Sequence, residues 1–351
     1  MKKTFVLTVL SLMAVFALAN NYRDCGYNYK FEGQKTIEKT FDVEAMPNLT
    51  MEGRYSDFII TTWDQPQIEF FVKITVKSDK ESVVQKLMEI INVELTQEGN
   101  SVKAKTVFVN KTNKSFNASI SIKYYVKVPK DVAMDLETIY GDITIDKAQR
   151  KLKTDIKYGD FKADSLIIDN IQENIIEVKY GNININVVSQ LYLDMSYGEA
   201  KINKCDYIDG TLKYSKLFIT DLDHCMLENK YSDTRIEKAN KVVLSTAAYS
   251  DIKVLNLTNL IGAILRYSDL SVTSTSLTPK IDIDGLYSDV VLYLNKDASF
   301  DYKLASSYGD IKFKGFFDNN SISGVGHYGD GERGLLDIST KYGDVNIYKN
   351  K

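Results

Sequence analysis

The sequence predicts an all-β protein built as a parallel β-solenoid, in which similar short coils stack on one another. The tripeptide Tyr-Gly/Ser-Asp returns every 17 to 22 residues over most of the chain, and an alternating apolar pattern follows each copy. The 351 residues also include 23 Tyr but only 4 Pro, and proline cannot donate a hydrogen bond within a central β-ladder. The length therefore fits one elongated repeat with an N-terminal cap better than two globular domains.

The chain begins with the pattern of a cleavable signal peptide over residues 1–19. A basic start precedes the apolar run 5–18, and residues 17–19 give the small-x-small cleavage pattern. The alternative is a transmembrane anchor, but this run is shorter than the roughly 20 residues that span a bilayer. Cys25 is not preceded by a lipoprotein box. We therefore predict an exported protein of the periplasm or cell surface, not a lipoprotein, with no transmembrane segment after cleavage.

Residues 20–139 are predicted to form an N-terminal capping β-region, which solenoids need to close an apolar end. Period-two alternation predicts strands over residues 68–76, 102–109 and 118–128. A further strand starts at Val93 and leads into a hairpin at residues 98–100.

One short helix is predicted inside this region. Ser78-Asp79-Lys80-Glu81 has the sequence of a capping box at a helix start. The residues that share the apolar face of this helix are Val83, Val84, Leu87 and Ile91.

Residues 140–351 are predicted to form the solenoid, with coils of 17–22 residues and the tripeptide at one corner. Positions −2 and 0 relative to Tyr, then +3 and +5, are mostly apolar or aromatic. One straight strand cannot place all four on the same side, so the chain must turn within the tripeptide. The corner tyrosines are Tyr55, Tyr140, Tyr158, Tyr180, Tyr197, Tyr214, Tyr231, Tyr249, Tyr267, Tyr287, Tyr308 and Tyr342. The corner aspartates are Asp142, Asp160, Asp233, Asp251, Asp269, Asp289, Asp310 and Asp344.

The corner tyrosines are predicted to point inward and to stack as an aromatic ladder. This structural role is favoured over a platform on which carbohydrate stacks. The last step, from Tyr308 to Tyr342, spans 34 residues, which is two steps of 17. Tyr328-Gly329-Asp330 lies within it, but no alternating strand follows, so we interpret it as a loop.

A resemblance to a known family rests on three features of the mature chain. They are the strand Tyr55–Ile60, the following Trp63-Asp64, and the Val128-Pro129 entry into repeated Gly-Asp-Ile strands. The sequence resembles the uncharacterised bacterial "putative adhesin" family of β-strand-repeat proteins, related to head-domain adhesin-like proteins of Bacteroidetes. The resemblance implies a right-handed parallel β-helix at the cell surface or in the periplasm, and it offers no catalytic residues to carry over.

The corner aspartates form a predicted column of like charges. Carboxylates about 4.8 Å apart repel by about 1–3 kcal/mol per neighbour. Hydrogen bonds to backbone N–H groups of the turn would offset this repulsion, and bound calcium is the alternative. The repeat lacks the Gly-Gly-x-Gly-x-Asp nonapeptide of calcium-binding rolls, which favours the hydrogen bonds. Glu199 is predicted beside Lys216, a charge-compensating exchange within one column.

The scarce residues exclude several kinds of site. His224 and His327 are the only histidines and there are three cysteines, so one chain can form neither a three-His nor a Cys₄ zinc site. Cys205 and Cys225 fall in different apolar columns, which predicts burial and implies no disulfide. No catalytic, cofactor-binding or metal-binding residue is predicted. The formal charge of −3 argues against nucleic-acid binding.

The sequence therefore predicts a non-enzymatic, exported, adhesin-like scaffold or binding module. Its partner would be a protein or glycan of the cell envelope. The alternative is a carbohydrate-active β-helix protein that binds or cleaves polysaccharide. Cleavage would require paired carboxylates or a Lys/Arg/Asp cluster outside the repeat columns.

Overall fold

The computed structural model describes residues 29–109, 116–168, 173–317 and 323–350. The predicted signal peptide and Cys25 lie outside these residues. The described chain is all-β, with 25 strands in one continuous sheet and a single helix, α1 (Glu81–Ile90). This helix has ten residues, and no helix in the described ranges could cross a membrane. The all-β prediction with one short N-terminal helix is confirmed.

The strands fall into three groups along the chain. Those of the N-terminal region are β1 (Phe31–Asp42), β2 (Asn48–Arg54), β3 (Ser56–Trp63), β4 (Gln67–Ser78), β5 (Ile91–Glu98), β6 (Ser101–Phe108) and β7 (Ala118–Pro129). Those of the repeat are β8 (Ala133–Ile139), β9 (Ile143–Ala148), β10 (Leu152–Lys157), β11 (Phe161–Leu166), β12 (Asn174–Lys179), β13 (Ile183–Ser196), β14 (Glu199–Lys213), β15 (Lys216–Lys230), β16 (Asp233–Ala248), β17 (Asp251–Arg266), β18 (Asp269–Ser274), β19 (Lys280–Leu286) and β20 (Val290–Leu294). The last five are β21 (Phe300–Ser307), β22 (Ile311–Lys314), β23 (Gly324–Tyr328), β24 (Gly334–Lys341) and β25 (Val345–Lys349).

Each repeat tyrosine separates two strand segments that pair in parallel with their counterparts in the neighbouring copies. The segments before Tyr run in the order β2, β8, β10, β12 and then the second halves of β13 to β17. The segments after Tyr run in the order β3, β9, β11 and then the first halves of the same long strands. Two strand rows therefore share one repeat, and the tyrosines mark the turn between them.

The predicted inward positions form one continuous apolar core. In the copy around Tyr158, Ile156 at −2, Phe161 at +3 and Ala163 at +5 are all buried. A single segment of six residues cannot bury its apolar side alone, whereas stacked copies remove it from water on both sides.

The copy around Tyr231 carries a hydrogen-bonded pair of buried polar residues at positions −2 and +3. Asn229 at −2 and Thr234 at +3 of Tyr231 are fully buried, and the Asn229 side-chain amide donates to the Thr234 hydroxyl at 2.8 Å. The side-chain Oδ1 of Asn229 is buried and finds no hydrogen-bond partner among the described residues. The pair is therefore only partly satisfied inside the core.

Thr234→Val is expected to lower the free energy of unfolding by about 1–3 kcal/mol, because it leaves the Asn229 amide unpaired in the core. The double variant Asn229→Leu/Thr234→Val removes both polar groups and is expected to be at least as stable as the wild type. Urea unfolding of the wild type, both single variants and the double variant measures this cycle. If the double variant lost the sum of the two single variants' losses in free energy of unfolding, the two residues would not be coupled.

The predicted N-terminal strands and hairpin are confirmed. β4, β6 and β7 cover the three predicted segments, and β5 pairs antiparallel with β6 around a turn in which Gly99 has φ +58°. Helix α1 packs against β1, where an added Cβ on Gly33 would lie 2.7 Å from Val84 Cγ1. Close approach of the strand to the helix therefore requires glycine there.

The prediction of a capping box at residues 78–81 was wrong. Ser78 is the last residue of β4, where it pairs with Ala118, and its hydroxyl donates to the Asn117 carbonyl at 2.8 Å. The helix N-cap is Lys80, which makes no side-chain capping hydrogen bond. Strand pairing therefore prevails over the local capping signal. Val84 and Leu87 are buried by the helix as predicted, whereas Ile91 is the first residue of β5.

The last copies do not follow sequence order. β24 pairs with β19 on one side and with β21 on the other, and β25 lies likewise between β20 and β22. The copy of Tyr342 is thus inserted between those of Tyr287 and Tyr308, so the interpretation as two successive steps of 17 was wrong. The chain reverses through β23, which pairs antiparallel with β21. Tyr328 ends β23 and packs against Phe300 and Phe316 instead of joining the other corner tyrosines.

Candidate binding face along the tyrosine column

Twelve corner tyrosines form one uninterrupted stack, which we call the tyrosine column. Each has φ between +51° and +63°, the left-handed region that non-glycine residues rarely adopt. Neighbouring ring centroids are 4.7–5.4 Å apart and neighbouring ring planes differ by 2–17°. The spatial order is Tyr55, Tyr140, Tyr158, Tyr180, Tyr197, Tyr214, Tyr231, Tyr249, Tyr267, Tyr287, Tyr342, Tyr308.

The predicted inward orientation of these tyrosines was wrong. From Tyr140 to Tyr342 in the column, 39–52 % of each residue is exposed, and the terminal Tyr308 is 79 % exposed. The positive φ turns the side chain to the outer surface and brings the next residue, Gly or Ser, inward. The twelve rings therefore stabilise one another by stacking, while their edges remain in contact with water.

The inward residue after Tyr occurs in two structural forms. In the serine copies from Ser215 to Ser288, each hydroxyl donates to the carbonyl two residues earlier at 2.8–3.1 Å. Each of these hydroxyls also accepts the backbone N–H of the serine one copy before it, where that copy has one. In the glycine copies the backbones approach so closely that an added Cβ would lie 1.8–2.1 Å from a neighbouring carbonyl oxygen. The Tyr φ is +51° or +52° in these serine copies and +59° to +63° in the glycine copies.

The aspartates two residues after Tyr bond to the neighbouring copy. Asp142 Oδ1 accepts the backbone N–H of Asp160 at 2.8 Å, and Asp344 Oδ1 accepts that of Asp310 at 2.8 Å. The same bond joins Asp344 N–H to Asp289. These carboxylates thus bond to the next turn instead of capping their own. In the described ranges, no three His, Cys, Asp or Glu side chains are grouped closely enough to hold a metal ion.

Like charges and burial raise the pKa of several column aspartates. Burial raises the pKa of Asp142 and of Asp251, and neighbouring carboxylates add to both shifts. For Asp251 these neighbours are Asp233 and Asp269. A raised pKa means that the native state holds more protons than the unfolded chain in the window above the ordinary value of 3.8. These carboxylates therefore oppose folding at neutral pH, and that contribution disappears as pH falls through the raised pKa.

Asp251→Asn is accordingly expected to raise the free energy of unfolding at pH 7 by up to ~1 kcal/mol, with little effect below the ordinary aspartate pKa. Introducing a carboxylate into the column at Asn182 is the opposite test. The side-chain and backbone N–H groups of Asn182 both donate to Asp160 Oδ1. Asn182→Asp is expected to destabilise at pH 7. Thermal melting of both variants from about pH 3 to pH 8 measures the two effects, and a stability change of the same sign in both variants at pH 7 would contradict this electrostatic explanation.

Charged residues flank the tyrosine column on both sides. Basic residues just before Tyr pair with acids on the same strand face, as in Lys157–Asp155 at 3.2 Å and Lys230–Glu228 at 2.7 Å. Glu199 lies in register beside Lys216 as predicted, although its ion pair is with Lys201. Beyond Lys216 the residues two positions after Tyr are six successive carboxylates, in the spatial order Asp233, Asp251, Asp269, Asp289, Asp344, Asp310.

The column offers ring edges and hydroxyl groups, not ring faces. Stacking covers both faces of every internal ring, and Phe108 and the Arg54 guanidinium pack against the terminal Tyr55. Of the two terminal rings in the described chain, Tyr308 has no aromatic neighbour on its outer side, whereas Tyr55 is met edge-on by Phe108. Across the described residues no column hydroxyl has a hydrogen-bond partner. A sugar that stacks flat on aromatic faces therefore finds no free faces along the column interior.

A second exposed aromatic surface was missed by the sequence analysis. Phe71 and Tyr125 lie on the outer face of β4 and β7 with ring centroids 5.9 Å apart, beside a groove of about 530 Å³. The Glu69–Lys127 ion pair at 2.8 Å borders it. The doublets Phe70-Phe71 and Tyr124-Tyr125 were the available signal, because one of two consecutive strand residues must face outward.

The two described cysteines are buried, as predicted, and no disulfide joins them in the described chain. Burial raises the pKa of the Cys225 thiol to about 12 and also raises that of Cys205, so both stay protonated at neutral pH. Cys205 is in register with Leu222 and Cys225 with Val242. An extra residue in β17 between Leu257 and Leu260 places Ile261 in register with Val242, and so in the Cys225 column.

No family model matches this sequence, and no curated protein is similar to it. Similar solved structures include a "putative adhesin" from Bacteroides fragilis, with 13 % identity, coverage of 89 % of this chain and 97 % of that chain, and a TM-score of 0.32. A "putative adhesin" from Parabacteroides distasonis has 14 % identity, coverage of 74 % and 96 %, and a TM-score of 0.36. A "putative lipid binding protein" from the same species has 13 % identity, coverage of 89 % and 96 %, and a TM-score of 0.26. Adhesin-like proteins of Bacteroidetes are thus among the structures similar to this chain.

Proposed function

We propose that this protein is an exported, non-enzymatic binding module of the cell envelope, and that the tyrosine column is its binding face. The observation that carries the proposal is the column itself, with twelve stacked rings whose edges and unpaired hydroxyls face solvent. Eleven steps of 4.7–5.4 Å make it about 54 Å long. A surface of this length suits an extended partner.

The physical chemistry of tyrosine supports a recognition role. Tyrosine is enriched in protein interfaces because one ring provides both apolar area and a hydrogen-bonding hydroxyl. Stacking already fixes the column rings, so binding costs little further side-chain entropy. Within the described residues no contact requires the column hydroxyl groups, since phenylalanine would stack equally well.

The proposal includes a specific architecture. The signal peptide spans residues 1–19, the capping β-region 20–139 and the repeat 140–351, which winds as a right-handed parallel β-helix. The parallel pairing of copies 17 to 22 residues apart supports this arrangement. In this architecture the corner tyrosines and aspartates are repeat positions, and the aspartates serve the fold through their hydrogen bonds between copies.

Adherence of the purified protein to envelope preparations tests the binding role. Purified wild-type protein is expected to adhere to envelope preparations, and Tyr231→Asn/Tyr249→Asn/Tyr267→Asn is expected to lose most of this adherence. Asparagine tolerates the left-handed backbone of the corner, so the fold is kept. Tyr192→Asn is the matched control, since Tyr192 is exposed on β13 but lies outside the column. Equal adherence of the triple variant and the wild type would refute the column as the binding face.

Location and chemistry are tested separately. Protease added to intact cells is expected to remove the protein if it is displayed on the surface and to spare it in the periplasm, whereas cytoplasmic fractionation would contradict export. Incubation with a panel of uronic-acid polysaccharides is expected to give no cleavage. Chain cleavage by the purified protein would establish the carbohydrate-active alternative.

A further inference from the structure

The two halves of the tyrosine column differ in charge. In the half from Tyr231 to Tyr308, every residue two positions after Tyr is an exposed aspartate. In the other half this position also carries Asn182 and Lys216, so the negative row is broken. The basic row before Tyr is interrupted in both halves, by Ile139 and Ser196 in one and by Ala248, Leu286 and Ser307 in the other, so the two halves differ chiefly in the row after Tyr.

The aspartates of the C-terminal half are geometrically ordered. The strands that carry them pair in register, so the carboxylates repeat at the spacing of the rings, which is 4.7–5.0 Å in this half. Asp269 Oδ1 and Asp289 Oδ1 accept backbone N–H groups of the next copy, which fixes these side chains beside the rings. A ridge of aromatic edges thus runs parallel to a row of fixed negative charges.

We propose that this half of the column binds flat, elongated, cationic aromatic molecules, which lie along the column axis between the rings and the carboxylates. The inference rests on the proposed role of the column as a binding face and names the chemical class of its ligand. A rigid planar molecule matches a straight ridge without losing conformational entropy on binding. It covers apolar ring edges along several copies of the repeat, and its positive charge lowers the mutual repulsion of the aspartates below it.

The same geometry excludes two other classes of ligand from this half of the column. An anionic aromatic molecule would meet the carboxylate row and be repelled. A neutral sugar would find covered ring faces. Binding is therefore expected to require both flatness and positive charge, and to weaken as salt screens the carboxylates.

Thioflavin T, a planar cationic dye, is the probe, and Congo red is its anionic counterpart. We expect the full-length protein to bind thioflavin T with a rise in fluorescence that falls with added salt, and to bind Congo red at least tenfold more weakly. Asp251→Asn/Asp269→Asn is expected to weaken thioflavin T binding at least threefold. Tyr249→Asn/Tyr267→Asn is expected to weaken it at least tenfold.

Two matched controls locate the site. Tyr192→Asn removes an exposed tyrosine of β13 outside the column, and Phe71→Ser/Tyr125→Ser alters the separate aromatic groove; both are expected to leave the affinity within twofold of wild type. Absence of dye binding, insensitivity to the aspartate variant, or loss in either control would overturn the proposal. Circular dichroism verifies the fold of each variant. If a tyrosine variant fails to fold, the aspartate variant alone decides.

Failure of this inference is distinguishable from failure of the proposed function. Dye binding is measured on purified protein, whereas adherence is measured on envelope preparations with the triple tyrosine variant. Loss of adherence in that variant without thioflavin T binding to the wild type would keep the binding face and refute the ligand class.

Discussion

Gly181→Ala is expected to destabilise the protein by at least ~3 kcal/mol, because the turn at this position leaves no space for a methyl group. An added Cβ would lie 1.8 Å from the backbone carbonyl oxygen of Gly159. Gly159 lies in the turn between β10 and β11, and because this oxygen is a backbone atom it can move aside only if the two stacked turns separate. Urea unfolding followed by circular dichroism measures the loss.

Gly262→Ala is the matched control. Gly262 lies in β17, and an added Cβ there has no atom within 4 Å. Alanine at that site is expected to be neutral or slightly stabilising, because it reduces the entropy of the unfolded chain. Similar behaviour of the two variants would show that the copies around Gly181 are not as closely stacked as described.

Ile338→Ala is expected to cost about 2–5 kcal/mol, the range for truncation of a large aliphatic side chain in a packed core. Ile338 lies in β24 and is 1 % exposed. It is in register with Ile283 on one side and with Leu304 on the other, so the cavity opens between two copies. Thermal or urea unfolding measures the change.

Leu335→Ala on the same strand is the internal comparison. Leu335 is 48 % exposed, so its truncation is expected to cost less than ~0.5 kcal/mol. If β24 were instead a frayed terminal strand, Ile338→Ala and Leu335→Ala would have similarly small effects. That result would contradict the insertion of the Tyr342 copy.

Much of the fold could be predicted because the same pattern of apolar and polar residues recurs in many copies of the repeat. Apolar residues at +3 and +5, as at Phe161 and Ala163, specify which strand face is buried. Agreement among many copies removes the ambiguity that a single six-residue strand would have. The turn position was predictable for the same reason, since alternation changes phase within the tripeptide.

The side on which the tyrosines lie could not be predicted from alternation. Tyrosine is not a residue that signals positive φ, and its apolar character suggested burial. The close backbone approach at Gly181, and the serine hydroxyl bonds at Ser232, are what hold the turn in this conformation. The alternation of Gly and Ser in blocks was the available signal, because both are small enough to face inward.

The order of the last copies depends on pairing between distant segments. Spacing along the chain gives the number of copies but not which strand edges meet, so the insertion of β24 between β19 and β21 has no local signature. For the candidate face, the residues of the tyrosine column could be predicted from the sequence. Their exposure could not, because it depends on the backbone conformation of the turn.

The central claim is that the copies stack in register into one tyrosine column, with Tyr342 between Tyr287 and Tyr308. Cysteine pairs at the aspartate positions test it most directly, since neighbouring parallel strands lie within disulfide reach and second neighbours do not. Asp289→Cys/Asp344→Cys and Asp344→Cys/Asp310→Cys are expected to form disulfides under mild oxidation, mapped by mass spectrometry, and Asp289→Cys/Asp310→Cys is not. A disulfide in the last variant, with none in the first, would show stacking in sequence order and contradict the account.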